Sequence, residues 1–163
     1  MMGERKRTML ENLSSHALIL GPRPGKKSFD KLAELNLTHC CTLLGEIEQP
    51  DNIKKICKRL GCEWLWMPIN GGSLDNLQSV DIEAYVRQLN DALSGVSEPR
   101  VYLHCSAGIH RTGFFAYVLL RARGMEAEDA ERALGDLRSV TANQVGDERI
   151  ELAETMLGKT SLL

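Results

Sequence analysis

Ten residues, His104-Cys105-Ser106-Ala107-Gly108-Ile109-His110-Arg111-Thr112-Gly113, join two apolar stretches and limit the possible folds more tightly than any other segment. Val101-Tyr102-Leu103 before them is β-branched, aromatic and aliphatic, the composition of the end of a buried strand. Phe114-Phe115-Ala116-Tyr117-Val118-Leu119-Leu120 after them has almost no polar side, so from Thr112 the chain predicts a helix inside the domain rather than on its surface. A strand that turns through a tight loop into a helix gathers main-chain N–H groups around one point, and the helix dipole adds to their field. Gly108 supplies backbone freedom in that loop, and Arg111 offers a planar fork that matches two phosphoryl oxygens. Ser106, Ala107, Gly108, Ile109, His110 and Arg111 together read as a cradle for a dianion.

The same field acts on Cys105. A free thiol titrates near ~8.5, and one at a helix N-terminus beside a permanent cation falls by several units, so a thiolate is expected at neutral pH. A thiolate beneath a bound phosphoryl group can attack phosphorus and divide one difficult hydrolysis into two easier steps. Arg111 and the loop amides would gather charge on the equatorial oxygens as it redistributes. Such chemistry needs no metal and no cofactor.

The pattern His104-Cys105, five residues, Arg111-Thr112 resembles the signature of the cysteine-dependent protein tyrosine phosphatase superfamily. The short chain, with the loop about two thirds of the way along it, is similar to the compact dual-specificity branch. The resemblance implies roles: Cys105 as nucleophile, Arg111 as phosphate binder, Thr112 as a hydroxyl that helps the thiolate leave, and His104 as support for the loop. His110 stands at a variable position, either tuning the pocket near neutral pH or lying idle on its rim. The resemblance also implies a general acid about thirty residues before the cysteine, and that count reaches Asp75 in Pro68-Ile69-Asn70-Gly71-Gly72-Ser73-Leu74-Asp75. Asn70 stands where many relatives place the acid, and an asparagine cannot serve as one. Asp75 has a second reading as a helix N-cap paired with Gln78, and Asp81 is an outside candidate on a solvated helix face. Gly71-Gly72 reads as a hinge or as a plain turn. Asn143 and Gln144 fall in a polar break between two helices and are read as loop residues outside the catalytic set.

Composition narrows the remaining classes. A chain of 163 residues with 43% apolar and 26% charged residues can bury the core of one domain. The formal charge of −2 lacks the basic excess of a nucleic-acid binder, and no apolar run is long enough to cross a membrane. Cysteines at 40, 41, 57, 62 and 105 show neither zinc-ligand spacing nor a disulfide framework, which predicts a reducing, cytoplasmic setting. Residues 1–12 carry Arg5-Lys6-Arg7 without a following apolar segment and read as a partly disordered lead-in rather than a secretory signal. Residues 13–163 read as a single catalytic domain.

Along that domain, strands and helices alternate. Ala17–Leu20, the segment around Cys40, and Trp64–Met67 read as strands. Phe29, Leu32 and Ala33 mark one face of a helix, while Ile53, Ile56, Cys57 and Leu60 mark a second helix, opened by Pro50. Ile82, Tyr85, Val86, Leu89 and Leu93 mark another. Beyond the loop the pattern is wholly helical, with Ala127–Leu137 and Ile150–Leu157 following the buried helix. The expected fold is α/β: a central, mostly parallel sheet flanked by helices, with a helical C-terminal part. The expected function is hydrolysis of phosphomonoesters, first on phosphotyrosine or phosphoserine/threonine proteins. Two rivals stand beside it: a phosphatase of a non-protein substrate, such as an inositol phosphate, a phosphoinositide or an RNA 5′-triphosphate, and an inactive phospho-binding module. The lack of lysine between Cys105 and Arg111 weighs against the inositide reading, although Arg23, Lys26 and Lys27 on an early turn carry charge.

Overall fold

The structure, a computed structural model, describes residues 9–14 and 16–163. Four short strands, β1 (Leu18–Gly21), β2 (His39–Thr42), β3 (Glu63–Trp66) and β4 (Val101–His104), form one sheet in the order β1-β4-β2-β3. Every pairing is parallel, so the expected sheet is parallel throughout. The register puts Ile19, Tyr102, Cys40 and Trp64 in one row across the sheet, and Leu20, Leu103, Cys41 and Leu65 in the next. Because strand side chains alternate, these rows serve opposite faces.

The first row packs under α1 (Phe29–Glu34) and α2 (Asp51–Leu60), against Leu32, Ile53 and Cys57. The second faces the larger core, built on α4 (Ile82–Leu93) and α5 (His110–Ala122). Cys40, Cys41 and Cys57 are buried as core residues, and burial pushes the Cys41 thiol up to about 12. Within α5 every residue but His110 and Arg121 is buried, which is why the run from Phe114 to Leu120 shows no polar side. It begins at His110, two residues before the expected start.

Around α5 stand α3 (Leu74–Gln78), α6 (Ala127–Leu137), α7 (Ser139–Gln144) and α8 (Asp147–Leu157). Two sequence expectations differ here. Ser139–Gln144, read as a polar break, is a short helix whose Thr141 is fully buried, so tertiary contacts override its weak intrinsic propensity. Ala33 is exposed, because the six-residue α1 buries only Leu32. At the N-terminus, Leu10 is buried with its amide 2.8 Å from Asn90 Oδ1, and the Asn12 amide donates to Leu93 and Val96 carbonyls. The end of the expected lead-in is thus docked on α4, while Arg5-Lys6-Arg7 lies outside the described residues.

Candidate active site

The carboxyl ends of parallel strands in an open α/β sheet are where such folds build their sites. Here β4 runs into residues 105–109 and then α5, so the cradle expected from sequence sits at such an end. Gly108 adopts φ +72°, and a Cβ there would overlap the Gly21 carbonyl and lie 2.9 Å from the Pro22 nitrogen. Only glycine fits both conditions.

The loop is tied on several sides. The Arg23 amide donates to the Ser106 carbonyl at 2.9 Å, from the turn after β1. From α7, the Thr141 hydroxyl donates to the Gly108 carbonyl at 2.6 Å. Arg138 reaches the same carbonyl at 2.9 Å and that of Ala107 at 3.3 Å. Engaging the loop's carbonyls from outside leaves its N–H groups for the interior, the arrangement that favours an anion.

Cys105 is 3% exposed. Burial alone would raise its thiol pKa, but the Thr112 hydroxyl 3.1 Å from Sγ, the amides of Thr112 and Ile109, and the charge of Arg111 outweigh it, and the net shift is downward. The downward shift expected from sequence thus has its physical cause in named groups. Beneath it, His104 Nδ1 lies 3.0 Å from the Cys105 carbonyl and Nε2 lies 2.8 Å from Thr42 Oγ1. A carbonyl can only accept, so Nδ1 carries the proton. Burial, with the charges of Arg23 and Arg111, pushes the His104 pKa down to about 4, so the ring is neutral at pH 7 and Nε2 accepts from the Thr42 hydroxyl. That hydroxyl accepts in turn from Trp64 Nε1 at 2.8 Å. The chain Trp64–Thr42–His104–Cys105 fixes the start of the loop from three adjacent strands.

Arg111 is 7% exposed and crosses under the pocket. Its Nη1 donates to Glu48 Oε1 at 2.7 Å and to the Ile69 carbonyl at 2.8 Å, and Nη2 donates to Glu48 Oε2 at 3.0 Å. The Arg111 guanidinium beside Glu48 holds that carboxyl below the usual range against opposing burial, so the pair is ionised at neutral pH. Sequence reading missed Glu48. It sits in a single 3₁₀ turn, Glu46–Glu48, after β2, 63 residues from its partner, and no local spacing links them. Arg23, read as part of a solvated turn, donates to the carbonyls of Glu48 and Gln49 and so fastens that turn from the other side. Lys26 and Lys27 are exposed as expected.

The segment between β3 and α3 closes the other side. Asn70 and Asp75 are exposed, with Asp75 in the first turn of α3. Ser73, rather than Asp75, caps that helix by accepting from the Asn76 amide at 3.2 Å, which removes the capping-box reading of Asp75 with Gln78. Asp81 caps α4 through the Ala84 amide at 3.0 Å. Gly72 packs on His110: a Cβ at 72 would lie 2.8 Å from the His110 Cβ. His110 itself is exposed, and its pKa is lowered by partial burial and by the charges of Arg149 and Arg111. Asn143 and Gln144 are exposed on α7. Among the described residues no group of three or more His, Cys, Asp or Glu is placed to hold a metal ion, and no helix is long and apolar enough to cross a membrane.

A loop that buries a cysteine of lowered pKa beside an arginine defines a class, and comparison with known proteins identifies it. The sequence pattern of the tyrosine phosphatase family matches residues 25–132, about two thirds of the chain, and the protein belongs to that family of cysteine-dependent phosphatases. No curated protein sequence matches the chain. Several solved structures share the fold. The human tyrosine phosphatase-like serine/threonine/tyrosine-interacting protein superposes with a TM-score of 0.65 at 18% identity, over 88% of this chain and 92% of that one. The core catalytic domain of the PP-IP phosphatase SIW14 from S. cerevisiae gives 0.63 at 17% identity, covering 93% and 83%. PTPMT1 in complex with PI(5)P gives 0.61 at 21% identity, covering 88% and 94%.

Proposed function

We propose that this phosphatase acts on phosphorylated proteins, at tyrosine and/or serine/threonine, through a phosphocysteine at Cys105. The contact that carries this reading is the one between Thr112 Oγ1 and Cys105 Sγ, 3.1 Å apart, at the base of a loop whose carbonyls are engaged from outside. In the first step the sulfur forms a bond to phosphorus as the ester P–O bond breaks. Asp75, carried on the β3–α3 side of the pocket, gives its proton to the departing oxygen. In the second step water attacks phosphorus and gives a proton back to the Asp75 carboxylate, the S–P bond breaks, and Thr112 stabilises the sulfur as its negative charge returns. Arg111 and the amides of Ser106–His110 hold the equatorial oxygens throughout, and Glu48 keeps the guanidinium oriented. His104 supports the loop without touching substrate. No step requires a metal or cofactor. A cytoplasmic setting suits five free thiols, one of which must stay reduced to act.

A second reading, a non-protein phosphate ester, draws support from similarity to the PP-IP phosphatase SIW14 and to PTPMT1 with its PI(5)P. Against it, Arg23 and Arg138 already donate to main-chain carbonyls. The deciding experiment compares kcat/KM for phosphotyrosine and phosphothreonine peptides with that for inositol phosphates and an RNA 5′-triphosphate, alongside Cys105→Ser. Phosphopeptides are expected to lead, and the serine variant is expected to lose at least about 10⁴-fold while still binding vanadate. A non-protein ester turned over faster than every peptide overturns the substrate assignment. Activity surviving in Cys105→Ser overturns the mechanism.

A further inference from the structure

The β3–α3 segment is fastened at two points. At one end the Ile69 carbonyl accepts from Arg111 Nη1 at 2.8 Å. At the other the Gly72 carbonyl accepts from Arg149 Nε at 2.8 Å, while Arg149 Nη1 donates to the Val145 carbonyl at 3.0 Å. Arg149 belongs to the first turn of α8, outside the span that matches the family pattern. It is half-buried, and its Nε and Nη1 each meet one main-chain oxygen, one on the β3–α3 segment and one at the junction of α7 and α8. Between the two clamps lie only Asn70 and Gly71, and directly after them comes the helix that carries Asp75. Gly72 is held flat on His110, one residue before Arg111, so any outward movement of the segment must first release Arg149.

We propose that Arg149 is a positioning residue, a latch from the C-terminal helix that sets the β3–α3 segment over the pocket and thereby sets proton delivery to the leaving group. The proposal rests on the phosphatase reading above for its kinetic consequence, but not for its structural one. A guanidinium bridging two carbonyls fixes both distance and direction, whereas a lysine would replace one of the two bonds. The group acts late in the reaction coordinate of P–O cleavage. Its loss therefore falls on esters that need a proton and spares those whose leaving group departs as a stable anion.

The test compares Arg149→Ala and Arg149→Lys with wild type in two ways. Amide hydrogen exchange is expected to rise over residues 70–74 in Arg149→Ala and to stay unchanged in α4 and α5. Unchanged exchange at 70–74 overturns the latch whether or not the protein turns over any substrate. In kinetics, Arg149→Ala is expected to lose about tenfold in kcat/KM on phenyl phosphate and less than about twofold on 4-nitrophenyl phosphate, with vanadate affinity retained and Arg149→Lys recovering only part of the loss. Equal losses on both esters, or a parallel loss of vanadate binding, overturn the positioning role and leave a structural one. If wild type hydrolyses neither ester while the exchange difference is present, the phosphatase reading fails and the catalytic half of the proposal falls with it.

Discussion

The β4–α5 loop and the β3–α3 segment meet at Arg111 and are built in opposite ways. The first is buried at Cys105 and Gly108 and held through the carbonyls of Ser106, Ala107 and Gly108 by residues from β1's turn and α7. The second is exposed at Pro68, Asn70 and Asp75, and its carbonyls at Ile69 and Gly72 are held by two arginines. The difference fits the two roles proposed above. Charge stabilisation gains most when the donors are fixed before substrate arrives, whereas a group serving leaving groups of many shapes sits on a segment with less packing behind it.

Three measurements probe that contrast, beginning with the most rigid point. Gly108→Ala forces a side chain into a left-handed backbone and against the Gly21 carbonyl. A stability loss of about 4 kcal/mol in urea unfolding is expected, with oxyanion binding lost as well. A variant that stays stable and binds vanadate would show the loop to be softer than its contacts imply. The next effect concerns His104, whose folded-state pKa of about 4 lies below the ordinary 6.5. The fold favours the neutral ring, so this contribution is complete above pH 6.5 and disappears as pH falls toward 4. It amounts to about 3 kcal/mol, read by urea unfolding at pH 7 and pH 4 against His104→Gln. Identical pH dependence in the two proteins rejects it. The smallest effect is expected on the exposed side. Asp75→Asn should lower kcat about a hundredfold on alkyl phosphates, flatten the basic limb of the pH–rate profile, and leave stability within about 0.5 kcal/mol of wild type. Wild-type rates on alkyl esters would move the proton donor elsewhere.

The same contrast explains what the sequence made legible. Strand, loop and α5 follow one another within some twenty residues, so Val101–Leu120 carries the cradle, the proposed nucleophile and the buried helix in a single readable run. The alternation of strands and amphipathic helices gave the parallel sheet for the same reason: each signal is local. What holds the cradle in place is not local. Glu48 meets Arg111, Thr141 meets Gly108, and Arg149 meets Gly72 across separations of 63, 33 and 77 residues, with no spacing to announce them. Ser139–Gln144 was unreadable as a helix because Thr141 is buried by the loop it supports, not by an apolar stripe of its own. For Asp75, sequence spacing supplied an address without a geometry, and the cap it suggested belongs to Ser73.

The strand order β1-β4-β2-β3 has a consequence for the thiol. β4, which leads directly into Cys105, lies between two strands that precede it by some sixty to eighty residues, so its pairings on both edges are long-range. Contacts this distant in sequence carry a loop-closure cost that must be met before they form. The surroundings that lower the Cys105 thiol pKa are therefore a property of the assembled sheet and loop rather than of the local sequence.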